Sequence, residues 1–280
     1  MKTLTHNDVL SILPDRKADS HKGDYGKLLL LCGSRGYTGA AALACMGALR
    51  AGAGLVYLGV PDSIYNIEAF KLTEPVIIPL DDQDGMLAAS AIKKISTIFP
   101  RVNAVLVGSG LGISDGTEKV VCDVLKNYAG TVVLDADGIN LIKSHKDILR
   151  RRTGITIITP HEGEFIRFGG DMSQGRVDAA MLMARDTGSI VVLKGHRTVI
   201  TDGKDVYINE TGNPGMATGG SGDVLAGVIL SLVGQGIEPL LAAACGVWLH
   251  GAAGDICAAQ IGQYGMLPSD MLKVLPSLMK

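Results

Sequence analysis

Aromatic side chains make up only 4% of the 280 residues and charged ones only 19%, with a net charge of −2 and no block of Lys or Arg. A nucleic-acid surface needs clustered cations and often stacking rings, so that class of partner is excluded. Cysteine is sparse: Cys32, Cys45, Cys122, Cys245 and Cys257 form no Cys-x-x-Cys pair. An odd number, widely spaced in a long chain, argues against a disulfide framework and for small buried hydrophobes. The histidines are scattered, with no His-x-x-x-His, so no metal centre built from side chains alone is expected. The first eight residues carry no apolar segment after a basic start. The longest apolar stretches, such as residues 240–249, contain glycine or fall short of the ~18 residues of a membrane span. No membrane is expected as a partner, and a reducing cytoplasm fits the cysteine usage.

What the chain has instead is glycine, 37 residues of it, in a sequence that is 47% hydrophobic with no repeat or low-complexity tract. Mean hydropathy is +0.28. Short continuous apolar runs occupy residues 27–32, 55–60, 102–107, 131–134, 156–159 and 189–193, each closed by glycine or a polar turn. Unbroken rather than alternating runs are what strands buried on both faces look like. Helical patterns lie between several of them, at residues 40–51, 117–128 and 176–187, each closed by glycine. Strand–helix alternation predicts βαβ units and an α/β fold with a mainly parallel sheet. Residues 198–201 and 206–209, joined across Asp202-Gly203, predict one antiparallel hairpin. No linker or composition shift divides the chain, so one domain is expected.

The densest glycine cluster is Gly212-Asn213-Pro214-Gly215-Met216-Ala217-Thr218-Gly219-Gly220-Ser221-Gly222-Asp223, ahead of an apolar helix predicted over 224–233. Glycine lets a ligand approach backbone N–H groups, and a helix N-terminus adds positive potential, so Gly220, Ser221 and Gly222 are a candidate anion hole. Asp223 reads equally well as a helix N-cap or as a base that takes a proton from a hydroxyl while the hole stabilises a transferring phosphoryl. Glycine density beyond what a cap requires favours the base. The loop is not a Walker A motif, for no Gly-Lys-Ser/Thr occurs in it, and its glycine offsets miss the Gly-x-Ser-x-Gly nucleophile elbow.

Four further clusters close predicted strands: Gly33 to Gly39, Gly108-Ser109-Gly110-Leu111-Gly112, Asp135-Ala136-Asp137-Gly138 and Thr159-Pro160-His161-Glu162-Gly163-Glu164. Lys194-Gly195-His196-Arg197-Thr198 closes a fifth. Ligands of open α/β sheets bind at the carboxyl ends of strands. His161 and Lys194 are therefore binding candidates rather than surface side chains.

Lys22-Gly23-Asp24-Tyr25-Gly26, Thr159-Pro160-His161-Glu162-Gly163-Glu164-Phe165, Leu193-Lys194-Gly195 and the 212–223 loop, in that order, resemble the ADP/ATP-dependent NAD(P)H-hydrate dehydratases of the ribokinase-like superfamily. The resemblance runs from about residue 21 to the C-terminus. It implies a ribokinase-like α/β fold, a central mainly parallel sheet flanked by helices on both faces, as a single domain over 1–280. It further implies a lyase that repairs hydrated NADH or NADPH: a nucleotide phosphoryl passes to the ring hydroxyl, phosphate leaves, and the double bond is restored. By the same resemblance Asp223 is catalytic, and Ala40, Gly110, His161 and Asp223 line the hydrated-cofactor site. Lys194, Gly195, His196, Arg197, Thr198 and Gly222 hold the nucleotide, ADP or ATP, with Mg2+. The superfamily's Asn-x-x-Glu element becomes His161-x-x-Glu164, which leaves the metal role of Glu164 open. A fused epimerase domain is not expected, so the epimerase would be a separate protein, and a homo-oligomer such as a tetramer is expected. The alternative is a small-molecule kinase for a vitamin precursor on the same fold.

Overall fold

The computed structural model describes residues 1–280. Its strands are β1 (Lys27–Leu31), β2 (Leu55–Pro61), β3 (Val76–Leu80), β4 (Asp82–Gln83), β5 (Met86–Leu87), β6 (Ala104–Val107), β7 (Thr131–Leu134), β8 (Thr156–Ile158), β9 (Ile190–Leu193), β10 (Val199–Thr201) and β11 (Val206–Ile208). Nine form one sheet in the order β11-β10-β9-β8-β7-β6-β1-β2-β3, while β4 and β5 make a separate small hairpin. Within the nine-stranded sheet, neighbours are parallel from the β3 edge as far as β9, and β9–β10 and β10–β11 are antiparallel.

The apolar runs explain the layering. Along β1, Leu28 and Leu30 point into one core and Leu29 and Leu31 into the other, all with no exposed surface. The first core is closed by the helices Thr38–Arg50, Asp62–Lys71, Ser221–Gly234, Pro239–Ile261 and Pro268–Val274. Asp115–Asn127, Asp147–Arg151, Glu162–Arg167 and Arg176–Thr187 close the second. Period-two alternation with leucine on both faces is thus satisfied only by helices above and below. The architecture is the α/β layering expected.

Two helices carry the ends of the functional loops, and glycine sets their spacing. A Cβ on Gly227 would collide with the Ala44 carbonyl, and one on Gly47 with that of Val224. The helices Thr38–Arg50 and Ser221–Gly234 therefore cross at backbone contact, which any larger residue would prise apart.

Three elements depart from the pattern read in the sequence. Strand β3 carries Pro79, which cannot donate to a ladder, and β3 is the sheet's edge, where proline is tolerated. The glycine-loop helix begins at Ser221 rather than at 224, so Asp223 lies in its first turn. Finally, Pro239–Ile261 forms a continuous 23-residue helix, long and apolar enough to cross a bilayer, through glycines that do not interrupt it. Those glycines admit neighbours: a Cβ on Gly246 would press on Ile229, and one on Gly254 on the Met216 side chain. It is a core helix, with 78% of its most apolar window buried in the fold.

Candidate active site

Strand β1 pairs with β2 on one side and β6 on the other, so the chain reverses its direction of travel across the sheet between β1 and β6. Loops diverge at such a switch point and leave a crevice at the carboxyl ends. All five loop clusters singled out in the sequence follow the adjacent strands β9, β8, β7, β6 and β1. One continuous rim results.

The 212–223 loop reaches this rim from the far side and is held by the Pro239–Ile261 helix. The Asp255 carboxylate accepts from the Gly212 N–H at 2.8 Å and from Asn213 Nδ2 at 3.0 Å. Thr211 Oγ1 donates to the Trp248 carbonyl at 3.0 Å. At the other end Gly220 is the residue before the helix Ser221–Gly234, in left-handed geometry at φ +94°. A side chain there would also strike Leu43. Glycine is therefore required at 220 on both counts. The Ser221 N–H turns back to the Thr218 carbonyl at 3.4 Å, and the Val224 N–H to that of Gly220 at 3.2 Å. The N–H groups of Gly219, Gly220, Gly222 and Asp223 bond to no protein group. Four free donors at the positive end of an apolar helix are the arrangement that can bind an anion. Among the predicted hole residues, Gly220 and Gly222 offer donors, while Ser221 spends its own on the loop.

Lys194, at the end of β9, reaches into this site: a Cβ on Gly222 would lie 3.2 Å from its Nζ. Its partner is Asp135, buried at the end of β7, whose Oδ1 accepts from Lys194 Nζ at 3.0 Å and from Thr159 Oγ1 at 2.6 Å. Asp135 Oδ2 accepts from Ser109 Oγ at 2.8 Å. Glu164 lies 4.0 Å from the same ammonium. Burial works against the Lys194 charge, but Asp135, Glu164 and Asp223 outweigh it and raise its pKa. Lys194 is a fixed cation beside the free N–H groups. Asp223 responds the other way: burial, then the neighbouring Asp135 charge, push its carboxyl up to about 6, against Lys194 and Ser109. It is the third residue of its helix and not a cap. A carboxylate with that pKa accepts a proton near neutrality more readily than an ordinary aspartate does.

His161 is a helix cap. Its Nδ1 accepts from the Gly163 and Glu164 N–H groups at 3.0 and 3.3 Å, at the start of Glu162–Arg167. Glu164 completes the box by accepting from the His161 N–H at 2.9 Å. With Nδ1 an acceptor, the ring proton sits on Nε2, on a side chain still half-exposed to the rim. Gly110 holds φ +61°, and a Cβ on it would meet Ala40 and Tyr37, so Ala40 and Gly110 are immediate neighbours across the crevice. In the 194–198 turn, Thr198 Oγ1 donates to the Gly195 carbonyl at 3.0 Å, and Arg197 pairs with the exposed Glu210 at 3.2 Å. His196 is exposed. Arg176 braces the turn from the Leu193 and Lys194 carbonyls, at 3.0 and 3.2 Å, to Glu162.

Sequence reasoning assigned no role to Asp135, which holds Lys194 in place, or to Ser109 and Thr159, which hold Asp135. Asp135 stood in a flagged cluster beside Asp137, and only the fold shows which carboxylate turns inward. Asp137 instead accepts from the Gly112 N–H at 2.9 Å. Arg176 lies on a helix whose pattern signalled packing alone.

A mainly parallel sheet between two helical layers, with a free-amide glycine loop, an aspartate and a lysine on its carboxyl rim, is the arrangement of a ribokinase-like fold. A family profile described as NAD(P)H-hydrate dehydratase matches residues 28–277, and the chain belongs to that family. It is 42% identical over its whole length to a bifunctional NAD(P)H-hydrate repair enzyme of Moorella thermoacetica, of which it covers 54%. The chain thus spans about half the length of the curated relatives it matches first. It is 33% identical to an ADP-dependent (S)-NAD(P)H-hydrate dehydratase of Cenarchaeum symbiosum, covering 97% of that protein. The Bacillus subtilis ADP/ATP-dependent NAD(P)H-hydrate dehydratase, co-crystallised with ATP and Mg2+, superposes with a TM-score of 0.85 at 32% identity. That alignment covers 98% of this chain and 96% of the other.

Proposed function

We propose that the protein dehydrates hydrated NADH or NADPH at the expense of ADP or ATP, restoring the reduced nicotinamide and releasing phosphate. The observation that carries this is the convergence of four unpaired backbone N–H groups, the Lys194 ammonium and the Asp223 carboxylate on one rim. Asp223 takes the proton of the ring hydroxyl as that oxygen attacks the terminal phosphorus and the bond from phosphorus to the bridging oxygen breaks, releasing AMP from ADP or ADP from ATP. The free N–H groups of Gly220 and Gly222, with Lys194, bind the oxygens on which charge develops. Phosphate then leaves the resulting ester with both electrons of the C–O bond, pushed out by the ring nitrogen's lone pair. Loss of a proton from the adjacent carbon restores the double bond.

Ala40, Gly110 and His161 face the hydrated ring, where the Nε2 proton of His161 is a donor for the substrate. Lys194 to Thr198 and Gly222 take the nucleotide, and Gly219 has open space where a side chain would sit. No three metal-ligating side chains converge anywhere in the structure. Such a site suits Mg2+ carried on nucleotide phosphates and steadied by a carboxylate of the rim, for which Glu164, 4.0 Å from Lys194 Nζ, is the candidate. When bound, the ion supplies charge neutralisation at the phosphates. We propose, too, that an epimerase activity supplies the reactive form of the hydrate, that the protein is cytoplasmic, and that it assembles as a homo-oligomer.

Hydrated NADH and NADPH, each incubated with the protein and ADP or ATP, test the function. Recovery of reduced-nicotinamide absorbance that requires a nucleotide is expected. No recovery with any of the four pairs, while a vitamin-precursor alcohol is phosphorylated, would transfer the site to the kinase reading.

A further inference from the structure

The helix Pro239–Ile261 is apolar almost throughout, yet it buries a histidine. His250 sits among Leu249, Gly251, Ala252 and Ala253 and is 8% exposed. An imidazole in such surroundings is costly unless its polar atoms have partners, and a leucine of similar size would pack there freely. Its Nε2 lies 3.3 Å from the hydroxyl of Ser221, itself 8% exposed. Burial, assisted by the Lys194 charge, pushes the ring's pKa down to about 4, so the contact is between neutral groups.

Ser221 occupies a special place. Gly219 and Gly220 on one side of it and Gly222 and Asp223 on the other carry the unpaired N–H groups, while its own N–H is tied to Thr218. Gly219 and Gly220 impose no direction on the chain that enters the helix, so where their N–H groups point relative to those of Gly222 and Asp223 depends on how the residue between them is anchored. Outside the helix ladder, the backbone ties Ser221 to the loop only through a long bond of 3.4 Å, and the side-chain anchor is His250. The same helix already grips the loop's entry through Asp255 and Trp248.

We propose that His250 is a positioning residue for phosphoryl transfer: through Ser221 it fixes the direction of the free N–H groups at the helix N-terminus. This rests on the reading of Gly220 and Gly222 as the anion hole. His250 touches no reacting atom, so its loss leaves substrate binding intact and weakens stabilisation of the transition state. Misdirection of such donors by about 1 Å costs on the order of 10²-fold in rate.

The test is a double-mutant cycle on His250→Leu and Ser221→Ala, read as kcat and KM for the hydrated dinucleotide. Each single variant should lose about 10–100-fold in kcat with KM little changed, and the double variant should lose no more than the worse single one. His250→Gln, whose amide reaches the same hydroxyl, should recover most of the rate. If leucine prevents folding, His250→Asn, too short to reach Ser221, replaces it in the cycle. Wild-type kcat in a folded His250→Leu protein, or fully additive losses, would overturn the proposal. Gly222→Val, measured alongside, separates the two layers: normal turnover there removes the anion hole itself, whereas impairment there with an unaffected His250→Leu removes only the role of His250.

Discussion

Asp223 suits the role of base proposed for it because of where it is buried. An ordinary aspartate is a poor base at neutral pH, but burial and the Asp135 charge lift this one to about 6. Turnover should therefore rise with pH through about 6 and fall tenfold per unit below it, which a pH profile of kcat measures. Asp223→Asn should retain nucleotide binding and lose about 10²–10⁴-fold in kcat, the range for a missing general base. Near-wild-type turnover in that variant would take Asp223 out of the mechanism. The same environment has a consequence for stability. A carboxyl whose pKa rises from 3.8 unfolded to about 6 folded favours the fold when protonated, and this advantage is lost as pH climbs through that window. Asp223→Asn should thus melt at or above the wild-type temperature at pH 7–8, as scanning calorimetry would show. A lower melting temperature would mean that the carboxylate supports the fold.

At the scale of elements, the decisive features are contacts that glycine permits. Gly227→Ala forces a methyl onto the Ala44 carbonyl between the helices Thr38–Arg50 and Ser221–Gly234. Overpacking of this kind costs about 1–3 kcal/mol, so denaturant unfolding should show a loss of that order. Gly222→Val acts differently: its side chain would crowd Lys194 Nζ where phosphate oxygens belong, weakening nucleotide binding in a folded protein. An unchanged dissociation constant by calorimetry would make the loop merely structural. The sequence announced the loop and most strand ends because glycine clusters and unbroken apolar runs are local signals. It did not announce the Asp135–Lys194 pair or the His250–Ser221 contact. Those join residues 59 and 29 positions apart, and only the parallel order of the sheet and the course of one long helix bring them together. His161 was legible as a rim residue, but its use of Nδ1 as a helix cap needed coordinates.

For the whole molecule, the layering followed from leucine pointing both ways along β1, whereas the edge β3 was hidden by its proline. Beside that edge, Ile67 and Phe70 project from the helix Asp62–Lys71 into solvent, Phe70 94% exposed, with Val76 next to them on β3. An apolar group of that kind is where the proposed homo-oligomer is expected to make its contact. Light scattering should give a multiple of the 29.2 kDa chain mass, and Phe70→Glu should lower it; a monomeric wild type would remove the assembly. The central claim, dehydration by way of a transient phosphate ester, is tested most directly by stoichiometry. On a hydrated nicotinamide ring the phosphorylated carbon adjoins a nitrogen whose lone pair expels phosphate, so no ester persists. Nucleotide consumed, phosphate released and reduced nicotinamide formed should therefore match one to one to one in a single incubation with hydrated NADH. Nucleotide consumed with a stable phosphorylated product and no reduced nicotinamide would contradict the account.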